Sequence, residues 1–292
     1  MEKESKQCLC ISLFYDKTMW HKILVEGVEP FLKNRKRADF FYISLSEFKG
    51  DHIRLILVVL EEHSVLLATD LDDYFRSFFE KKPSPNRMDL ISTESLYQDF
   101  ENNTIHYGVY DFSIMDNWTM PIANYLQNLA ATLLEVFRHY KQETLINHIE
   151  IMIEFFTIYI NVAILDIRLA RNFFNELLES EYKEYSKGSI SNIVEINKAN
   201  FENNKSLILQ YLSDNIYKNN NQYDKKWEQK WYETVSVFSK QHSTFFGKEN
   251  SKEHFKIIHL LCDAFNFEEK ISAFYLLSKG LESFDETQSH ET

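Results

Sequence analysis

The sequence predicts an α+β fold, with a mixed α/β half that contains a small sheet, followed by a helical half. Up to residue 117, runs rich in Ile, Leu and Val are interspersed with helical patterns. From there to Phe284, apolar residues recur with a period of about 3.6. Strands followed by helices are typical of α+β proteins. We therefore expect an α/β portion over 1–117 and a helical portion over 118–292, together in one compact domain.

The α/β portion is expected to begin with a strand and to contain one hairpin. Strands are predicted at Cys8–Tyr15, at Phe40–Leu45 and in the stretch Lys49–Leu60, where a polar turn leads into an apolar run, with shorter ones at Asp89–Tyr97 and His106–Phe112. Helices are predicted at Met19–Leu32 and Ala68–Lys81. Because Lys49–Leu60 is dense in Ile, Leu and Val, we expect it to be buried on both faces. A turn at Ser46–Asp51 would pair it with Phe40–Leu45.

The helical portion is predicted from apolar periodicity alone. Its helices are expected at Met120–Tyr140, Leu145–Leu178, Asn192–Tyr217, Lys225–Ser239, Lys252–Phe265 and Glu268–Ser283. Breaks are expected at Lys187–Ser191, Asn219–Asn221 and Gly247–Ser251. The apolar stretch Ile149–Leu169 carries four charged residues, so we expect a buried helix and no membrane span.

Composition excludes several classes of function. A formal net charge of −12 argues against nucleic acid as the main partner. The three cysteines show no zinc-ligand spacing, and MEKESKQ lacks the apolar core of a signal peptide, so we expect a cytoplasmic protein. No nucleotide-binding or HExxH motif occurs, which agrees with chemistry that needs no cofactor. His139 and Glu143 have i,i+4 spacing but lack a third ligand, so no metal site is predicted.

Four segments, read with Trp20, resemble the C-terminal domain of lantibiotic dehydratases and its stand-alone relatives in thiopeptide biosynthesis. The matching residues are Trp20, Phe40-Phe41-Tyr42, His52-Ile53-Arg54-Leu55-Ile56-Leu57, His106-Tyr107-Gly108 and the segment from His259 to Phe265. In the family's glutamate-eliminating members, arginines hold the glutamyl carboxylate, because a guanidinium binds a carboxylate through two bonds. Of that apparatus this chain keeps Arg54 and His259, whereas Ile56, Asn102, His106 and Asp263-Ala264 stand where the family has the other arginines and an Asn-Arg pair.

These losses favour the pyridine synthase branch of the family over the glutamate lyases. The resemblance then implies a formal [4+2] cycloaddition of two dehydroalanines in a leader-bearing ribosomal peptide that carries azoles. Water and the leader peptide, as a carboxamide, would be lost. Two alternatives stay open, namely a stand-alone glutamate-elimination lyase of a split dehydratase and a non-catalytic subunit that binds the precursor. Expected partners are the precursor peptide and other enzymes of the pathway.

The resemblance also implies roles for residues of the helical portion, which is expected to line the active-site cleft. His259 would carry protons, although a lone histidine with apolar neighbours is more often a core residue. Asp263, one turn later, would orient it or would simply be an exposed acid. Tyr275 is a candidate donor to the tautomerising amide or a packing residue. Ser243 is either a helix cap or a site residue.

Candidate binding residues lie in the α/β portion. His52 and Arg54 share one face of a strand and would contact the substrate or pair with a buried acid. Tyr107 and Tyr110 would stack on the azole rings or pack within the sheet. The basic run Lys33–Arg37 is either a helix end, where cations suit the dipole, or a contact for the leader peptide through Lys33, Arg35, Lys36 and Arg37.

Overall fold

The structure, a computed structural model, describes residues 5–34, 38–85, 100–108, 120–140, 148–183, 185–241 and 251–291. The chain divides into two compact units. The first contains Met1–Ile146 together with Asp263–Asn266, and the second contains Asn147–Cys262 and Phe267–Thr292. The predicted α+β class is confirmed, with a small sheet in the N-terminal part and a helical C-terminal half. The boundary at residue 117 and the single compact domain stay predictions.

The first unit contains a four-stranded antiparallel sheet. Its strands are β1 (Lys6–Phe14), β2 (Phe40–Ser46), β3 (His52–Leu60) and β4 (Thr104–Tyr107), in the order β2-β3-β1-β4. The predicted hairpin of β2 and β3 is confirmed, and it pairs Phe40 with Val58 and Ser46 with His52. The strand predicted at Asp89–Tyr97 lies outside the described residues, as does the part of His106–Phe112 that follows Gly108.

The prediction that β3 is buried on both faces is wrong. Ile53, Leu55, Leu57 and Val59 are fully buried, whereas the alternate positions from Arg54 onward are only partly covered. In an antiparallel sheet one face packs on the core and the other can carry polar groups. The alternate positions after Arg54 are also Ile, Val and Leu, so the sequence showed no difference between the two faces of β3.

Helices of the first unit cover the apolar face of the sheet. The segment after β1 forms a short turn at Lys17–Met19, α1 (Trp20–Ile23), a π-helical segment (Leu24–Val28) and α2 (Glu29–Asn34). The longer helices are α3 (Glu61–Lys81) and α4 (Met120–His139). An ideal Cβ at Gly27 would lie 3.3 Å from the Phe78 ring of α3, so a side chain there would crowd this contact. Because Val65 and Leu66 are exposed in the first turns of α3, apolar periodicity placed its start too late, at Ala68.

The second unit consists of helices. They are α5 (His148–Tyr159), α6 (Ile167–Tyr182), α7 (Lys187–Asn215), α8 (Lys226–Gln241), α9 (Ser251–Phe265) and α10 (Lys270–Glu291), and the last three residues of α9 belong to the first unit. Its core is rich in aromatic rings. Phe155 lies 4.8 Å from Trp227 and 5.2 Å from Trp231 between ring centroids, and Trp231 donates its indole hydrogen to the Phe155 carbonyl at 2.9 Å.

Two helix boundaries in the second unit differ from the prediction. The predicted helix Leu145–Leu178 is interrupted, because a π-helical segment (Ile160–Ile164) ends at Leu165 with a φ of 62° and Asp166 caps α6 by accepting from the Leu169 amide. The predicted break at Lys187–Ser191 lies within α7, which Ser186 caps. No helix in the described ranges is long and apolar enough to cross a membrane.

We expect Gly280→Ala to destabilise the second unit by about 1–2 kcal/mol, because added volume in a packed contact must displace its neighbours. An ideal Cβ at Gly280 of α10 would lie 2.9 Å from Ile208 Cγ2 and from Leu212 Cδ1 of α7. Gly188, near the start of α7, has nothing within 4 Å of its Cβ position. Gly188→Ala is therefore the matched control and should stabilise the protein by up to about 1 kcal/mol. Urea denaturation of both variants measures the difference, and equal stabilities would contradict the packing at Gly280.

Candidate active site

A row of polar residues crosses the middle of the sheet, with one residue in each strand. Ser44 of β2 pairs with Arg54 of β3, Arg54 pairs with Ser12 of β1, and Ser12 pairs with His106 of β4. Lateral partners in a sheet point to the same face. The hydroxyl of Ser12 is buried and has no hydrogen-bond partner among the described residues. This face therefore carries polar groups in a fixed register, opposite the face that packs on α3; Ser12 and Ser44 are buried, whereas Arg54 and His106 are partly exposed.

Neighbouring side chains fix the guanidinium of Arg54 in place. Its Nη2 donates to the Ser46 hydroxyl at 2.8 Å, and its Nε lies 3.4 Å from His52 Nε2. His52 Nδ1 lies 2.8 Å from the Gly50 carbonyl, which can only accept, so this nitrogen carries the proton and Nε2 is the acceptor. Arg54 is thus oriented by β2, β3 and the turn between them.

Burial and, to a smaller extent, the positive charge of Arg54 together lower the pKa of His52 to about 4, although the hydrogen bond to the Gly50 carbonyl opposes the shift. His52 is fully buried, so it is neutral at pH 7. The unfolded chain, with a histidine pKa of 6.5, binds the proton more readily than the folded protein between the two values. Stability is therefore complete above pH 6.5 and falls as the pH drops toward 4.

We expect the free energy of unfolding to be lower by about 3 kcal/mol at pH 4 than at pH 7 because of His52. This figure follows from its pKa shift at 1.36 kcal/mol per pKa unit. Urea denaturation at several pH values should show a smaller loss for His52→Gln than for the wild type, because glutamine does not titrate. Other acids contribute equally to both proteins, so the difference isolates His52. Parallel curves for the two proteins would contradict a neutral, buried His52.

Tyr42 and Asp263 extend this sheet cluster within the first unit. Burial raises the pKa of the Tyr42 hydroxyl, and the Asp263 carboxylate raises it further, whereas a hydrogen bond with Ser44 and the charge of Arg54 oppose the rise. The phenol is therefore neutral and lies within electrostatic reach of both an acid and a guanidinium. Asn266, just after α9, donates to Glu47 at 3.2 Å. The end of α9 is thus held beside the β2–β3 hairpin.

A second cluster lies in the helical unit, around His259 of α9. Its Nδ1 is 3.5 Å from Glu181 Oε1, at the end of α6, and Lys270 Nζ of α10 is 2.9 Å from the same oxygen. The Glu181 side chain is only 4% exposed, whereas that of His259 is 34% exposed. Three helices therefore bring together a buried carboxylate, a cation that compensates it, and a histidine that solvent or a ligand can reach.

Two tyrosines lie near one another in the same unit. Burial raises the pKa of Tyr182, and the charge that Tyr275 would carry raises it further. The Tyr182 hydroxyl is buried and has no hydrogen-bond partner in the described part of the chain. Tyr182 follows Glu181 in α6, but consecutive side chains of a helix point in different directions, so the two phenols lie in the same unit as the histidine without a described contact to it. Within the described ranges, no group of three or more His, Cys, Asp or Glu residues has the arrangement of a metal site.

Comparison with known proteins identifies the fold. No protein-family profile and no curated protein matches this sequence. Among solved structures, the pyridine synthase TbtD from thiomuracin biosynthesis superimposes with a TM-score of 0.74 at 12% identity, over 95% of this chain and 98% of that one. This chain shares the fold of TbtD. The resemblance drawn from the sequence motifs is thereby confirmed at the level of the fold.

Two further structures share this fold. TsrL superimposes with a TM-score of 0.62 at 8% identity, over 97% of this chain and 96% of that one. The tRNA-dependent lantibiotic dehydratase MibB, from a Microbispora species, gives a TM-score of 0.54 at 9% identity, over 97% of this chain but 28% of its own. The chain therefore matches TbtD and TsrL over nearly their whole length and MibB over little more than a quarter of its length.

This fold brings only some of the predicted site residues together. Arg54, His52 and Asp263 lie in the first unit, and His259 and Tyr275 lie in the second. The acid found beside His259 is Glu181, which the sequence did not single out, while the predicted role of Asp263 toward His259 stays a prediction. His52 is fully buried and supports Arg54, and its predicted contact with substrate is likewise untested.

The remaining predicted binding residues have structural contacts or lie outside the described residues. Tyr107 donates to the Ala68 carbonyl at 3.1 Å, and its side chain is exposed. Its stacking on an azole ring of the substrate stays a prediction. Lys33 lies 2.6 Å from Glu29, which also accepts from Arg138, so its ammonium already has a partner in the helix. Tyr110, Ser243, Arg35, Lys36 and Arg37 lie outside the described residues.

Proposed function

We propose that this protein is a thiopeptide pyridine synthase. It would join two dehydroalanines of a leader-bearing ribosomal peptide by a formal [4+2] cycloaddition, with loss of water and of the leader as a carboxamide. The observation that carries the proposal is the match to the pyridine synthase TbtD over nearly the full length of both chains. A coarser conclusion, an enzyme that acts on a modified peptide, rests on the same match. We also propose that it works without a cofactor and in the cytoplasm.

The proposed reaction needs proton transfer and orientation. One amide must tautomerise to its imidic acid, and after ring formation two eliminations must follow, each of which moves a proton from carbon to a leaving group. A positioned acid or base contributes typically 10²- to 10⁴-fold to such steps. His259 is the candidate, because an imidazole can both accept and donate a proton and its side chain is partly exposed. Holding the two alkenes in contact can supply roughly a further 7–11 kcal/mol in favourable cases.

Phenolic donors would assist the tautomerisation. Tyr275 and Tyr182 lie near each other in the unit that contains His259, and the Tyr182 hydroxyl has no partner among the described residues. The helical unit would therefore bind the reacting end of the peptide, and the α/β unit would bind other parts of it, with Arg54 as a contact.

The charges around His259 favour cycloaddition over glutamate elimination. A glutamyl carboxylate needs a cationic clamp, ideally a bidentate arginine. The cation found near His259 in the described structure is Lys270, and it is already paired with Glu181. An incoming carboxylate would have to displace Glu181, which is buried and of the same charge. We therefore keep the lyase as the enzymatic alternative and a precursor-binding subunit as the non-enzymatic one.

A direct test supplies two substrates in separate reactions. One is a linear, leader-bearing peptide with azoles and dehydroalanines, and the other is a peptide with a glutamylated serine. We expect a macrocycle from the first and no change in the second, as followed by mass spectrometry. Glutamate elimination from the second would establish the lyase. If the protein bound the peptides but converted neither, the result would support the non-catalytic, precursor-binding subunit.

A further inference from the structure

We propose that Glu181 is the positioning residue for His259, and that Lys270 is the counter-ion that makes a buried carboxylate tolerable there. Glu181 would accept a hydrogen bond from His259 Nδ1 and so select the tautomer in which Nε2 is unprotonated. Nε2 is then the atom that takes the proton from the substrate and returns it. The proton transfer at Nε2 rests on the proposed function, whereas the orientation of His259 by Glu181 does not.

The distances and burial support this assignment. His259 Nδ1 and Lys270 Nζ approach the same oxygen, Glu181 Oε1, at 3.5 and 2.9 Å. The lysine contact is a full ion pair, whereas the histidine contact is slightly longer than a hydrogen bond. Such contacts often shorten when substrate binds and the site tightens. The two ring nitrogens lie on different edges of the imidazole, so an acid at Nδ1 leaves Nε2 for the substrate.

Burial explains why Glu181 requires Lys270. A carboxylate that is 4% exposed loses most of its hydration, which costs several kcal/mol unless a counter-ion compensates it. Lys270, at the first position of α10, supplies that charge. The pair adds no net charge, so it orients His259 without attracting a further anion. Leaving the buried carboxylate without its counter-ion would be strongly unfavourable, which accounts for the two residues occurring together.

The orienting role can be measured without turnover. In protein with ¹⁵N-labelled histidine, the ring nitrogen chemical shifts report which nitrogen of His259 carries the proton. We expect the wild type to favour the Nδ1–H tautomer, and Glu181→Gln to lose much of that preference. With the peptide substrate, kcat should fall roughly 10- to 100-fold while KM changes less than about twofold, since a wrong tautomer impairs the chemical step. A structural role alone would not change the ring nitrogen shifts.

The matched control is the exposed pair Lys279–Glu282, on the same helix as Lys270 and 2.7 Å apart. Glu282→Gln should leave the His259 spectrum and kcat unchanged. If Glu181→Gln does not fold, the double variant Glu181→Leu/Lys270→Met removes both charges together and should show the same loss of tautomer preference. Identical His259 spectra in folded wild type and variant would overturn the inference. A changed spectrum in a protein that turns over no peptide would support the inference and refute the proposed function instead.

Discussion

His259→Ala is expected to lower kcat for macrocycle formation by about 10²- to 10⁴-fold, the usual contribution of a positioned general acid or base. The side chain is 34% exposed, so its removal should leave the fold intact and peptide affinity within about twofold. Single-turnover assays followed by mass spectrometry, with binding measured separately by fluorescence anisotropy, distinguish the two effects.

The control for this variant is His63→Ala, which removes an exposed histidine of α3. It should turn over the peptide at the wild-type rate. If His259→Ala retained kcat within about twofold, proton transfer would have to be assigned to another group, and Tyr275 and Tyr182 would be the first to test. A loss of binding instead of kcat would make His259 a contact for the substrate.

Trp231→Ala is expected to destabilise the protein by about 3–5 kcal/mol, the cost of truncating a large buried aromatic side chain. The indole is fully buried, lies beside Phe155 and donates to the Phe155 carbonyl. Truncation therefore leaves a cavity and also removes the hydrogen bond from the indole to the Phe155 carbonyl. Urea denaturation followed by circular dichroism measures the change in the free energy of unfolding.

Val237→Ala is the control for Trp231→Ala, because Val237 lies on the same helix but is exposed. Its effect should be within about 0.5 kcal/mol, as for most surface substitutions. A loss below about 1 kcal/mol for Trp231→Ala would show that the aromatic cluster of the second unit is not packed as described.

Sequence patterns predicted most of the elements of this fold, and their failures have physical causes. The hairpin of β2 and β3 was predictable because two apolar runs flank a short polar turn. The break between α5 and α6 was missed because apolar residues continue through Leu165, where the chain adopts a positive φ. Asp166, a good helix cap, was the available signal at that point.

The site was harder to predict than the fold. His259 and Arg54 could be chosen because they stand in motifs that resemble those of a known family. Glu181 could not, because nothing in α6 distinguishes one glutamate from its neighbours until the helices pack. The position of Ser12 and Tyr42 on the same face as Arg54 depends on the register of the strands, and the sequence does not give that register.

The nature of the released leader peptide tests the central claim most directly. In the proposed reaction the bond broken last joins the new ring to the nitrogen of one dehydroalanine, so that nitrogen must leave with the leader as a carboxamide. A mass spectrum of the leader fragment, after incubation with the dehydroalanine-containing precursor, should therefore show a C-terminal carboxamide in equal amount to the macrocycle. A leader that ends in a carboxylate, or no cleavage at all, would contradict the assignment as a pyridine synthase.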